Sequence, residues 1–385
     1  MPGERFLSES RTFDVVVVGA GIAGASLAAS LCATHRVALL EAEEQAGYHT
    51  TGRSAAMWVL NYGPPDVRLL TGLSRPFFRT PPDGFGCLTR RRSVLYLAPS
   101  AMAGALEALI ARRLGVREIS LRDAMRMVPA LRAGYAKRAG IEEDAFDMDV
   151  SALHQGYLRQ LRRADGFIGL RQRADRIARG AGHWRVETGA GAVFKAPILV
   201  NAAGAWGDTV AGIAGVAPLG LLPCRRTVAV IDPSPCRVES WPMVQSAAHD
   251  WYVRPEARNR LLVTPCDEGP AMAHDVRPEE FDIALGIDRM QQALSIEVRR
   301  VEHSWAGLRT FTPDRSLAFG FDKDAPGFFW CVGQGGYGIQ TAPAAAALCA
   351  DMIRGEDPGR AAAAIARLDP NRFRPGGGTE GTARP

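Results

Sequence analysis

At 385 residues, 47% hydrophobic and 23% charged, the chain is long enough for a substantial core and for two or three domains. Its formal net charge of +5 is spread along the sequence as arginine without any Lys/Arg block, so nucleic acid is not expected as a partner. Seven scattered cysteines form no CxxC pair and no metal-ligand spacing, which predicts reduced thiols in a cytoplasm and no metal. No 18 apolar residues run together, so no transmembrane helix is expected, although a peripheral membrane contact stays open.

Residues 1–12 are polar, carry both charge signs and lack the apolar centre of a signal peptide; they read as a disordered leader. An apolar run over 14–18 then leads into Gly19-Ala20-Gly21-Ile22-Ala23-Gly24. An alanine-rich amphipathic segment follows, and a second apolar run closes on Glu41. Strand, glycine turn, helix, strand and acid in that order form a dinucleotide-binding unit. Gly19 turns the chain, Gly21 admits a pyrophosphate against the backbone, and Gly24 lets helix and strand close up. Amides at the helix start face the phosphates, and Glu41 accepts from the adenosine ribose. Alone, a GxGxxG is a weak signal and also describes a turn that binds nothing. Here its whole context is in place.

Beyond it, EEQAGYHTTGRSAA is a polar loop whose Ser54, Ala55 and Ala56 suit a helix start at a phosphate or a flavin chain, or an ordinary capped helix. Residues 67–78 and 101–112 read as helices, 93–97 as a strand and 121–127 as a short helix. Residues 151–162 repeat apolar side chains at helical spacing, and 165–200 is β-rich, ending in NAAGAW (201–206). Strands are expected over 225–231, 251–253, 261–265 and 301–311, with a long amphipathic helix over 278–299. Finally GFFWCVGQGGYGIQ (327–340) gives a second strand, glycine loop and helix, which runs to about Arg354. Residues 370–385, rich in Pro, Gly and Arg, read as a disordered tail.

Two glycine-rich strand-to-helix turns at opposite ends of the chain are hard to reconcile with a simple NAD dehydrogenase. Together with AGYHTTGRSAAM (46–57), ALHQGYLR (152–159), PLGLLPCRRT (218–227) and HSWAGLRTF (303–311), they resemble the D-amino acid oxidase and glycine oxidase superfamily of FAD proteins. The D-arginine dehydrogenase branch fits best, over residues 13 to about 354. The resemblance implies an α/β fold: a Rossmann-like FAD-binding domain of the glutathione-reductase type with an interleaved, sheet-rich α+β substrate domain. FAD-binding segments are expected at 13–57, 148–217 and 312–365, and substrate-binding segments at 58–147 and 218–311.

The resemblance also implies the site. FAD, held non-covalently, would rest on Gly19, Gly21, Ile22, Ala23, Gly24 and Glu41 at its ADP end, with Ala174 at the adenine. Thr51, Arg53, Ser54, Ala55, Ala203 and Gly204 would run along the pyrophosphate, and Gly335, Gly336, Tyr337, Gly338, Ile339 and Gln340 along the flavin. Oxidising an amino acid to its imino acid needs a carboxylate clamp and an α-carbon held for hydride transfer, which a guanidinium fork supplies. Arg226, Arg309 and Tyr252 match the clamp, while Tyr62, Gln340 and the Gly336 carbonyl match positions near the amine. Strand alternation aims Arg225 at the other face, and among the histidines only His49 lies beside a cofactor loop.

Where the D-arginine branch has a pocket carboxylate, the strand over 92–97 offers Ser93 or a neighbour. Met57 and Val59, with Trp58, replace polar residues of that branch. Those departures imply a D-amino acid with an apolar or aromatic side chain, oxidised and then hydrolysed to the 2-oxo acid and ammonia. Oxygen or a quinone would take the electrons. Glycine, sarcosine or another secondary amine is the alternative; a flavin subunit without catalysis is a weaker one.

Overall fold

A computed structural model describes residues 10–374. Its centre is a six-stranded sheet in the order Phe167–Gly169, Val37–Leu40, Val15–Val18, Ile198–Asn201, Phe328–Val332 and Ala318–Phe321. All neighbours are parallel except the last pair. A parallel strand between two layers must be apolar on both faces, and VVVV is. Val15 and Val17 pack into a cluster with Leu27, Leu153 and Leu348, from helices Ile22–Leu31, Val150–Arg163 and Gly338–Arg354. Val16 and Val18 pack against Val186 and Phe194 of a four-stranded sheet on the other side. The architecture is the mixed α/β fold expected from the sequence, with its Rossmann-like unit at the core.

An eight-stranded sheet lies beside it, running Val301–Phe311, Leu222–Ile231, Arg260–Thr264, Tyr252–Glu256, Met243–Ser246, Val94–Ala98, Arg138–Glu142 and Val116–Ile119. One face packs Leu95, Leu97, Val253 and Val263 against Met290, Ala293 and Leu294, in and just beyond helix Glu280–Ala293. The opposite face carries Tyr96, Val228, Met243 and Tyr252 together with Val59. This second face closes one wall of the large cavity described below.

Several expectations need correction. No helix begins at Ser54: its hydroxyl donates to the Thr50 carbonyl at 2.8 Å instead of capping, and Met57–Trp58 is a short strand. The helix expected over 278–299 stops at Ala293, where Leu294 turns extended. From there Leu294 and Ile296 are buried while Ser295 and Glu297 are exposed, a period of two that the helical reading overlooked. Ser10–Thr12 is no leader but a strand, paired in parallel with Val193–Ala196. At the other end, Arg374 is buried and bonds the Asp322 carboxylate at 2.5 Å, which orders residues 370–374. The remainder of both expected tails, 1–9 and 375–385, lies outside the described residues. Strands Val116–Ile119, Arg138–Glu142 and Phe146–Met148 were not anticipated.

Candidate active site and cofactor cleft

A cavity of about 1210 Å³ runs between the two sheets, from Glu41 and Ala174 at one end to Tyr252 and His249 at the other. Its first end is made by the turn between Val15–Val18 and Ile22–Leu31. Gly19 has φ +103°, a left-handed conformation that favours glycine, and its amide donates to the Leu40 carbonyl. A Cβ on Gly24 would lie 1.9 Å from the Gly19 carbonyl oxygen, so only glycine lets helix and turn close up. Gly24 does not line the cavity, whereas Gly19, Gly21, Ile22 and Ala23 do. The Glu41 carboxylate accepts from the amides of Ala20 and Glu43 at 3.0 and 3.1 Å. Burial pushes its carboxyl up, and the Glu43 and Ala20 amides pull it back.

Two supports of this turn come from elsewhere in the chain, Thr51 having been expected along the pyrophosphate and His154 not singled out. Thr51 accepts the Ile22 amide at 2.9 Å, capping the helix from a distant loop. His154 Nε2 lies 2.9 Å from the Ala20 carbonyl, and burial lowers the imidazole pKa, so the neutral ring donates from beneath the turn. No local spacing marks either residue, since both act across the fold. Arg53 lines the cavity, but its guanidinium is committed to Asp275 and to the carbonyls of Val276 and Ala306. Ser54, Ala55, Ala174, Ala203 and Gly204 also line the cavity.

The second end is assembled from the eight-stranded sheet. Arg226 lies opposite Gly307 and Cys224 opposite Arg309, so the two arginines share a face on neighbouring strands. Arg225 points the other way, to Asp282 and Glu279, as alternation requires. The two arginines of the shared face differ. Arg226 donates to the Asp267 carbonyl at 2.8 Å and pairs with Glu268 at 3.2 Å. Arg309 has no ion pair among the described residues; its Nη1 donates to Tyr62 Oη at 2.7 Å. Burial works against the Arg309 charge, yet the phenols of Tyr62 and Tyr252 hold it above the usual arginine value. For Tyr252, burial pushes the phenol up while Arg309 opposes it.

The C-terminal glycine loop meets this group. A Cβ on Gly336 would lie 2.8 Å from Arg309 Nη1 and 2.9 Å from Tyr62 Oη, so the bare backbone is what lets Arg309 and Tyr62 approach. Gly335, Tyr337, Gly338 and Ile339 line the cavity beside it, and Tyr337 packs edge-on against Tyr62. Gln340 also lines the cavity, but its amide braces the site: Oε1 accepts from Val59 at 3.3 Å and Nε2 donates to Thr71 at 2.9 Å.

The side-chain pocket departs from expectation. Met57 and Val59 line the cavity; Trp58 and Ser93 do not. Trp58 is fully buried with its indole on the Thr71 carbonyl. Alternation along Val94–Ala98 turns Tyr96, not Ser93, toward Val59 and Met243. One strand over, Glu142 accepts from Tyr96 Oη at 2.7 Å and is buried without lining the cavity. Nor is the far end apolar, for Asn61, Arg112, Gln245 and His249 line it. Burial, with Arg112 nearby, drives the His249 imidazole down to about 4. Among the described residues no group of three or more His, Cys, Asp or Glu could hold a metal.

The cleft thus has a glycine turn with a carboxylate at one end and, at the other, a half-buried arginine without an ion pair among the described residues. The chain belongs to the DAO family of FAD-dependent oxidoreductases, which matches residues 14–352. Among solved structures it is similar to L-proline dehydrogenase from P. horikoshii, at 18% identity and a TM-score of 0.83, covering 96% of this chain and 99% of that one. It is also similar to glycine oxidase from Geobacillus kaustophilus (20%, TM-score 0.78, 90% and 96%). A third is an L-amino acid deaminase from Proteus vulgaris lacking its specific insertion (20%, TM-score 0.76, 95% and 94%). Identities this low show the shared fold. FAD is the family's cofactor, and the residues fit it: past Ile22, whose amide Thr51 takes, the first turn of Ile22–Leu31 keeps amides without intrahelical acceptors, and Gly21 presents bare backbone to a cleft of about 1210 Å³ lined from Glu41 to Gln340.

Proposed function

We propose that the chain oxidises the Cα–N bond of a D-amino acid to the imino acid, which water then hydrolyses to the 2-oxo acid and ammonia. FAD, held non-covalently, would supply the acceptor for the α-hydrogen, taken as hydride, with oxygen or a quinone as the final electron acceptor. One observation carries the reading: Arg309 is a half-buried cation with no ion pair among the described residues, set against Gly336 in the cavity wall. A buried charge needs a partner, and a substrate carboxylate is the natural one. Tyr62 holds the Arg309 fork, Tyr252 lies beside it, and Arg226 adds positive field from a position already balanced by Glu268. Together they fix the carboxylate, which leaves the α-carbon facing the Gly336 side of the cleft. No side-chain base is required, because the amine proton leaves to water.

Met57, Val59, Val228 and Met243 line the cavity and suit an apolar side-chain stem, but the polar far end does not continue the apolar or aromatic preference expected from the sequence. Glycine, sarcosine or another secondary amine is the second reading, favoured by the names of the proline dehydrogenase and glycine oxidase that share the fold. The sheets support two interleaved units, with FAD on 13–57, 148–217 and 312–365 and substrate on 58–147 and 218–311. Seven unpaired cysteines fit a cytoplasmic setting, and among the described residues no helix is long and apolar enough to cross a membrane. Anaerobic flavin bleaching against D- and L-amino acids, glycine, sarcosine and proline, followed by oxygen, tests substrate and acceptor together. Bleaching by D-enantiomers supports the first reading; bleaching confined to glycine, sarcosine or proline supports the second.

A further inference from the structure

The cavity is lined by six arginines, and their pairing divides them. Arg53 pairs with Asp275, Arg173 with Asp175, and Arg226 and Arg315 with Glu268. Arg309 and Arg112 have no ion pair among the described residues. Arg309 is accounted for by the α-carboxylate of the proposed reaction, on which the following inference rests. Arg112 is not. It stands just past the end of helix Ala103–Ala111, and its one hydrogen bond runs from Nη1 to the Asn61 carbonyl at 2.9 Å.

The two unpaired cations flank the same stretch of cavity. Arg309 holds the hydroxyl of Tyr62, whose ring lies 6.1 Å from that of His249. His249 in turn packs edge-on to Tyr96 at 6.0 Å, and the Arg112 charge bears on both of those rings. Two acids bear on the same rings, Glu142 on Tyr96 and Asp250 on His249. Glu142 receives Tyr96 and the Leu60 amide and does not face the cavity, while Asp250 is held by the Ser246 hydroxyl. A cation at a helix C-terminus can also serve the helix alone, where the dipole favours it. Arg112 is exposed, yet it also lines this stretch of the cavity with His249, which the helix role does not require.

We propose that the substrate carries a second carboxylate at the end of its side chain, received by Arg112 beyond an apolar stem that runs past Met243. The class is a dicarboxylic amino acid, held at one carboxylate by Arg309 and at the other by Arg112. The Gln245 side chain, within 3.4 Å of His249, lines the same end and favours a polar tip over an aliphatic one.

The test is kcat/KM of the FAD-loaded enzyme on both enantiomers of glutamate, glutamine and methionine. Glutamine differs from glutamate only in replacing the carboxylate by a neutral amide. A charge-assisted bond to Arg112 makes glutamate the better substrate by roughly tenfold or more. That ratio falls toward one in Arg112→Gln, and in the wild type it narrows as salt rises, because the guanidinium is partly solvated. Arg122→Gln, an exposed arginine outside the cavity, keeps the wild-type ratio. Glutamine or methionine turned over as well as glutamate by the wild type overturns the inference, as does a ratio that Arg112→Gln leaves unchanged. Either result leaves the amino-acid oxidase reading standing. Failure of every amino acid to bleach a flavin that dithionite reduces removes that reading and this inference with it.

Discussion

The two ends of the cleft are built by opposite means. The nucleotide end is backbone: a left-handed glycine, first-turn amides and a carboxylate, all within residues 19–41. The amino-acid end is side chain: Arg226, Tyr252 and Arg309 come from three strands of another sheet, and Tyr62 and Gly336 arrive from loops far away in sequence. The first tolerates almost no change of shape, because its parts touch through main chain. The second is set by charge balance, and there one arginine is paired inside the protein while its neighbour has no ion pair among the described residues.

Substitutions can break this contrast, beginning with the most severe. Gly24→Val puts side-chain carbon where the Gly19 carbonyl stands, and neither backbone can yield. The variant is expected to lose FAD, read as a colourless protein by absorbance, or to fail to fold, read by circular dichroism. Arg309→Met comes next. It should keep its FAD yet lose roughly 3 kcal/mol or more in kcat/KM, about a hundredfold, by removing the charge that meets the carboxylate. Arg226→Met sharpens the comparison, because Glu268 already balances Arg226. Its loss in kcat/KM should be smaller than that of Arg309→Met, and adding Glu268→Gln should recover part of it by removing the stranded carboxylate. Equal losses for the two arginines would mean the charge difference between them has no consequence. Smallest is Thr51→Val at the nucleotide end, which removes the cap on Ile22. Losing about 1 kcal/mol there should weaken FAD several-fold, measured by fluorescence of released flavin, while kcat at saturating FAD stays near wild type.

The contrast also explains what the sequence made legible. The unit from strand Val15–Val18 to Glu41 could be read directly because its parts are local and ordered along the chain. Strand Val301–Phe311 and helix Gly338–Arg354 ended where periodicity placed them. The helix expected to reach 299 failed because alternation in LSIEV resumed inside an apolar stretch that also fits a helical stripe. His154, Glu268 and Arg112 were not singled out, and Thr51 was expected at the pyrophosphate rather than on the Ile22 amide, for each acts on a partner brought close only by folding. Ser93 was misplaced for want of one fact, the register of its strand, which decides whether odd or even residues face the cavity. Arg226 and Arg309 were named together by resemblance, but nothing in the sequence distinguished the paired one from the unpaired one.

The most direct test compares anaerobic flavin bleaching in the wild type and in Arg309→Met, each loaded with FAD and each shown to be reduced by dithionite. The wild type should bleach with its amino-acid substrate, and the variant should bleach about a hundredfold more slowly at the same subsaturating concentration. Bleaching at the wild-type rate in Arg309→Met would contradict the assignment of the substrate carboxylate to Arg309, and with it the account of how this cleft holds an amino acid.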